Sequence, residues 1–191
     1  MTLSQPILIV DDDVNLRKTL TDILHLKGYE ALGANNGRDA INTVESRSIP
    51  VALIDLRLVD MPGLEVLKKV KDISPNTECI ILTGFADIGV AMAAINTSKI
   101  FSFLTKPCSK TDLEETLAAA LRQYQLIAAE KELLRGTVRG TIKLLTNLLE
   151  MVNPEAFGKS SRVKRLAVDI GGYLGLADAW RVELAAMLSQ I

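Results

Sequence analysis

The carboxylates of Asp11, Asp12, Asp13 and Asp55, the hydroxyl of Thr83 and the ammonium of Lys106 have the types and placement for shared chemistry. The three acidic residues follow an apolar run at 7–10, Asp55 follows another at 51–54, Thr83 a third at 79–82, and Lys106-Pro107 a fourth at 101–104. Carboxylates brought close together repel and raise one another's pKa unless a cation joins them. Mg2+ suits such a set, because it prefers oxygen ligands in octahedral geometry and keeps waters or phosphate oxygens in its shell. A carboxylate nucleophile, a metal to neutralise developing charge, and a hydroxyl and ammonium for the transferred group are the parts that phosphoryl transfer to a carboxylate requires. Taken singly, each residue has an ordinary reading: an Asp after a strand is commonly a turn or helix cap. The joint pattern outweighs those readings, since all four elements fall at successive strand ends.

Residues so remote in sequence meet only if the apolar runs are parallel strands of one sheet, whose carboxyl ends share an edge. A weaker run at 29–34 makes a fifth strand, and segments at 16–26, 40–44, 64–70 and 90–95 carry apolar residues at three- and four-residue spacing, as helices do. Strands alternating with helices predict an α/β fold: a doubly wound five-stranded parallel sheet with helices on both faces, filling residues 1–123. Near-continuous apolar strands agree with burial on both sides. Lys27-Gly28, Asn35-Asn36-Gly37 and Asp60-Met61-Pro62-Gly63 supply the turns.

Bulk properties narrow the function. Lys and Arg total 22 against 23 Asp and Glu, so no net field attracts nucleic acid or an anionic membrane. The apolar runs fall far short of the roughly 20 residues a membrane span needs, and Met1 to Gln5 has no basic region of a signal peptide, so a cytoplasmic protein is expected. Cys79 and Cys108 read as reduced, packed thiols. His25, the only histidine, follows a helical pattern and reads as a surface residue.

Beyond residue 110 the pattern changes. Leu113, Leu117, Ala120, Tyr124, Ile127, Lys131, Leu134, Val138, Thr141, Leu145, Leu148 and Val152 alternate steps of four and three residues, a heptad seam with only Lys131 and Thr141 polar. A continuous helix over 110–152 paired with a second copy is expected; two shorter helices packing locally, broken near Gly136 and Gly140, are the alternative. Asn153-Pro154 ends the helix. Two short helical patterns follow, one marked by Val163, Leu166, Ala167 and Ile170 and closed at Gly171-Gly172 or Leu174-Gly175, the other by Trp180, Leu184, Met187 and Leu188. Such a segment holds too little core to stand alone.

The motifs Ile7-Leu8-Ile9-Val10-Asp11-Asp12-Asp13, Leu53-Ile54-Asp55-Leu56, Met61-Pro62-Gly63, Ile81-Leu82-Thr83-Gly84 and Phe103-Leu104-Thr105-Lys106-Pro107 resemble the receiver domain of bacterial two-component response regulators. The resemblance implies a flavodoxin-like sheet of order 2-1-3-4-5 and a function. Asp55 would accept a phosphoryl group from a partner histidine kinase or phosphotransfer protein; Asp11, Asp12, Asp55 and the backbone carbonyl of Arg57 would hold Mg2+. Thr83 and Lys106 would contact the phosphoryl group, Phe103 would be the switch aromatic, and the bond before Pro107 would be cis. Asp13 falls just past the acidic pair and reads as a helix cap. The Arg57 side chain is expected to influence how fast water removes the phosphoryl group.

The segment 153–191 resembles the start of an HD-type domain, on Asn153-Pro154-Glu155-Ala156-Phe157-Gly158-Lys159-Ser160-Ser161-Arg162-Val163, Leu174-Gly175-Leu176 and the run 180–186. Where catalytic members carry a metal-binding His-Asp pair this chain reads Ser189-Gln190, so a di-metal phosphodiesterase centre is not expected. The expected function is a non-enzymatic, phosphorylation-switched module acting through a homodimer along the long helix. The alternative is the regulatory part of an HD-type cyclic di-GMP phosphodiesterase.

Overall fold

The structure is a computed structural model and describes residues 5–84, 100–152, 154–175, 182 and 185–186. Its chain forms two compact units, Met1–Ala128 and Ala129–Ile191. The first alternates β1 (Pro6–Val10), α1 (Val14–Leu26), β2 (Glu30–Ala34), α2 (Gly37–Ser46), β3 (Val51–Asp55), α3 (Gly63–Ile73), β4 (Glu78–Thr83) and β5 (Ser102–Thr105). All neighbouring strands pair in parallel, in the order β2-β1-β3-β4-β5. This is the expected doubly wound, flavodoxin-like sheet. The helix expected at 90–95 lies outside the described residues.

The two-residue period of the strands divides the core into two layers. Ile7, Ile9, Val51, Leu53, Ile80 and Leu82 face Leu20 and Leu24 of α1 and Leu113, Leu117 and Ala120 further along the chain. Leu8, Val10, Ala52, Ile54 and Ile81 face Ala40 and Val44 of α2 and Val66, Leu67 and Val70 of α3. Register moves two strands from their expected bounds. Phe101 lies just ahead of β5, its N–H donating to Cys79 O at 2.9 Å, because the ladder starts at Ile80↔Ser102 and runs to Thr83↔Thr105. Likewise β2 starts at Glu30, opposite Pro6, and leaves Tyr29 outside.

Local chemistry fixes the helix ends. The Asp13 carboxylate accepts from the backbone N–H groups of Asn15 (2.8 Å) and Leu16 (3.2 Å), capping α1 as its position suggests. Asp13→Ala is therefore expected to cost about 1 kcal/mol, measured as a lower urea midpoint. Gly28 closes the same helix at φ 82°, a conformation that favours glycine. His25 is exposed in the last turn, and Cys79 and Cys108 are free thiols, with burial pushing Cys79 up to about 12.

Residues 110–152 form one helix, α4 (Lys110–Val152), which runs through Gly136 and Gly140 without a break. The alternative of two shorter helices is thereby corrected: among the described residues nothing outside the helix's own turns lies within 4 Å of where a Cβ would sit on either glycine. In the first unit Leu113, Leu117, Ala120 and Leu121 are buried against the sheet. Farther along, Tyr124 Oη lies 3.3 Å from Ser48 Oγ, and Gln125 Nε2 donates to Gln5 Oε1 at 3.3 Å. Ser48 precedes β3 and Gln5 precedes β1, so α4 passes the end of the sheet opposite Asp55. In the second unit the seam is exposed, with Leu134 and Leu148 both 59 % accessible.

The chain then forms α5 (Pro154–Tyr173), with proline at the first helical position, where its missing N–H costs nothing. This helix is 20 residues long, more than the short element expected, and it contains Gly171-Gly172; the chain turns only at Leu174-Gly175, with Gly175 at φ 64°. Trp180, Leu184, Met187, Leu188, Ser189 and Gln190 lie outside the described residues.

Candidate functional site

Four strand ends place the reactive groups. Asp11 follows β1, Asp55 ends β3, Thr83 ends β4 and Lys106 follows β5, and the registers Val10↔Ile54, Asp55↔Leu82 and Thr83↔Thr105 bring these ends to one edge. Asp11 is fully buried, Asp55 nearly so, and Asp12 is exposed. One carboxylate oxygen from each lies within 4.8 Å of the others.

Lys106 ties the site together. Its Nζ is 2.7 Å from Asp11 Oδ2 and 2.8 Å from Asp55 Oδ2, while its backbone N–H donates to Thr83 O at 2.8 Å. The Lys106-Pro107 bond is cis. Burial alone would lower the lysine pKa, but the hydrogen bonds and charges of Asp11 and Asp55 outweigh it and raise it. Asp55 shifts up as well. Loss of water around its carboxylate is the largest cause, Lys106 opposes it, Asp11 adds repulsion, and the Arg57 backbone bonds to the charged form. The Asp55 carboxylate is thus under electrostatic stress that a cation would relieve.

Thr83 is buried with its hydroxyl donating to Gly84 O at 3.1 Å. Phe103 sits on the edge strand β5, partly buried beside the α2–α3 layer. Arg57 forms an isolated antiparallel bridge with Pro62, which folds the loop after β3 back over the Asp55 end. Asp13, part of the acidic triplet in sequence, is spent on the helix cap, and its N–H donates to Asp11 Oδ1 at 2.9 Å.

The contacts of three supporting residues do not emerge from sequence reasoning. Arg17 Nη1 donates to Asp11 O and so steadies the β1–α1 loop. Asp60 accepts from the N–H groups of Gly37 (2.9 Å) and Arg38 (3.0 Å), tying the loop after β3 to the start of α2, and those bonds hold its carboxyl below the usual range against the opposing effect of burial. Gly63 packs its Cα against the backbone of Asp55 and Leu56, so close that a Cβ would stand 1.9 Å from Asp55 O. The Pro62-Gly63 pair reads as a turn in sequence, but the contact it serves joins residues brought together only by the fold.

The model of the response regulator receiver domain family matches residues 7–118, which include every residue of this edge. The chain belongs to that family. It is 34% identical over 124 residues to the transcriptional regulatory protein ZraR of Escherichia coli O157:H7, an alignment covering 65% of this chain and 28% of that one. Among solved structures, the adenylate cyclase from Rhodopirellula baltica superposes with a TM-score of 0.66 at 36% identity, over 69% of this chain and 98% of that one. A CheY-like receiver domain protein from Methanospirillum hungatei JF-1 does so at 0.60 and 30% identity, over 63% and 96%. The chain thus spans little more than a quarter of the length of the curated relative. A receiver domain places the chain in two-component signalling. The family match stops at residue 118, ahead of the segment after Asn153, and does not support the phosphodiesterase reading. Among the described residues no helix is long and apolar enough to cross a membrane.

Proposed function

We propose that Asp55 accepts a phosphoryl group from the histidine of a partner kinase or phosphotransfer protein. The observation that carries this reading is the Lys106 ammonium held between the Asp11 and Asp55 carboxylates at one sheet edge. A carboxylate oxygen of Asp55 attacks phosphorus, the P–N bond of the phosphohistidine breaks, and its electron pair returns to the imidazole. Asp11, Asp12, Asp55 and the Arg57 carbonyl suit Mg2+: three carboxylates converge, and the buried pair is short of positive charge, with Lys106 its partner. When bound, Mg2+ supplies charge neutralisation for the transferred group. Lys106 exchanges part of its contact with Asp55 for a phosphoryl oxygen, and the Thr83 hydroxyl turns from Gly84 O to another.

The added charge biases the Thr83 and Phe103 face, and residues 1–123 act as the phosphoacceptor unit. The helical segment 110–152 carries the change onward as a homodimer linker to 153–191. The nearly balanced charge, 22 Lys and Arg against 23 Asp and Glu, gives residues 1–191 no net field for nucleic acid, so the output is read through protein contacts in the cytoplasm. Incubation with a radiolabelled acyl phosphate tests the chemistry. Label should enter the protein in Mg2+ and fall at least about tenfold in chelator. Labelling that ignores the chelator would remove the metal from the reaction, and no labelling in Mg2+ would overturn the acceptor assignment.

A further inference from the structure

The exposed seam of α4 has a charge pattern that selects one partner and one geometry. With Tyr124, Lys131, Val138, Leu145 and Val152 at heptad position a, Ile127, Leu134, Thr141 and Leu148 fall at d. Two positions beside this seam are charged: Glu130 at g and Arg135 at e, both exposed. Leu134, Val138, Leu145 and Leu148 are all more than two-fifths accessible, an apolar stripe one helix cannot bury. We propose that residues 127–152 pair with the same residues of a second copy as a parallel, in-register, two-stranded coiled coil, with Lys131 of each copy beside Glu130 of the other. This rests on the reading of α4 as the output helix.

Parallel pairing sets position g of one heptad against position e of the partner's next heptad. In register, Glu130 then meets Arg135 of the second copy, twice by symmetry. Antiparallel pairing sets g against g and e against e. The other g residues are Gln123, Thr137, Leu144 and Met151, and the other e residues include Ala128 and Ile142, so no opposite charge is available to either. A one-heptad slip fails too, because Glu130 then faces Ala128 or Ile142. Lys131 gives the same answer. In register the two Lys131 residues share a layer, and each ammonium turns to the partner's preceding g residue, Glu130, which offsets their repulsion, whereas a one-heptad slip would set it beside Gln123 or Thr137. A lone lysine at a costs stability and fixes register and oligomer state. Beyond it the flanks turn apolar, with Leu144 and Met151 at g and strongly exposed, which widens the contact.

The full chain is tested by sedimentation equilibrium with Glu130→Arg and Arg135→Glu. Each variant alone sets like charges across the seam and should dimerise about tenfold more weakly than the wild type. Mixed in equal amounts they should form a heterodimer within about threefold of wild-type affinity, since every g–e pair is again opposite in sign. Mixing that restores nothing, or a wild-type chain monomeric at about 100 µM, overturns the proposal. Labelling of Asp55 by acyl phosphate, read on the same samples, should not change. Labelling without dimers indicts the coiled coil, and dimers without labelling indict the acceptor reading.

Discussion

Asparagine at position 55 is expected to abolish phosphoryl uptake while leaving the protein at least as stable as before. The amide keeps the shape of the carboxylate but offers no nucleophilic oxyanion, so labelling by acyl phosphate should fall to background, at least about a hundredfold. The stability forecast follows from the sign of the acceptor's shift. The folded-state pKa of Asp55 lies above its unfolded value of 3.8, chiefly because burial disfavours the charge. Folding therefore opposes ionisation of this residue, a penalty fully present above the folded pKa that disappears as the pH falls below 3.8. The neutral amide escapes it, and Lys106 retains Asp11 at 2.7 Å. In chelator at neutral pH the variant should melt at or above the wild-type temperature, with the difference vanishing near pH 3. Mg2+ should then raise the wild-type melting temperature more than that of the variant. A variant that melts well below the wild type in chelator would show that the Lys106–Asp55 contact outweighs desolvation. Retained labelling would move the acceptor elsewhere.

The parts of this site legible in the sequence are those that depend on local pattern. An apolar run followed by Asp, Thr or Lys-Pro identifies a strand and its end, and the same logic separates Asp13 from its neighbours, because an Asp two and three residues ahead of the Asn15 and Leu16 amides is placed to cap them. The heptad steps likewise give α4 its length, although they cannot say where its seam stops being receiver core and becomes exposed surface. That boundary falls after Ala120 and Leu121, where the helix runs past the sheet. Illegible features depend on contacts across the fold. Arg17 on Asp11 O, Asp60 on the start of α2 and Gly63 on Asp55 O have no short-range signature. Gly171-Gly172 misleads in the other direction, since glycine's low helix propensity is a weak tendency and α5 continues through both.

The course of α4 constrains any output. Lys110 starts the helix a few residues after Lys106, at the edge that holds Asp55, while Tyr124 and Gln125 touch Ser48 and Gln5 ahead of β3 and β1. Between them Leu113, Leu117 and Ala120 pack on Ile7, Ile9, Leu53 and Leu82. A change at the Asp55 edge would therefore reach the opposite end of the sheet either by shifting the first turns of α4 over this layer or through β5, which pairs with β4 and carries both Phe103 and the chain leading to Lys106. Close-packed layers favour discrete shifts over gradual bending.

Gly63→Ala should destabilise the protein by about 3 kcal/mol or more and cut labelling of Asp55 at least about tenfold. The obstruction is backbone on all sides: the new Cβ would lie 1.9 Å from Asp55 O, 2.8 Å from Asp55 C and 2.9 Å from Leu56 Cα. No rotamer change relieves such a contact. Strand β3 cannot retreat, because it is hydrogen-bonded between β1 and β4. The start of α3 must then move outward, breaking the 2.9 Å bond from Gly63 N–H to Leu56 O and drawing Val66, Leu67 and Val70 from the layer they fill. Displacing the end of β3 also shifts Asp55 away from Lys106, so stability and phosphoryl uptake should fall together. The same substitution at Gly136 is the control. Among the described residues nothing outside the helix's own turns lies within 4 Å of a Cβ there, and alanine in a helix interior is favoured over glycine by up to about 1 kcal/mol. Urea denaturation should thus move the two midpoints in opposite directions. Equal midpoints for Gly63→Ala and wild type would mean that α3 can slide along β3, and that the close approach at Asp55 does not hold the acceptor in place.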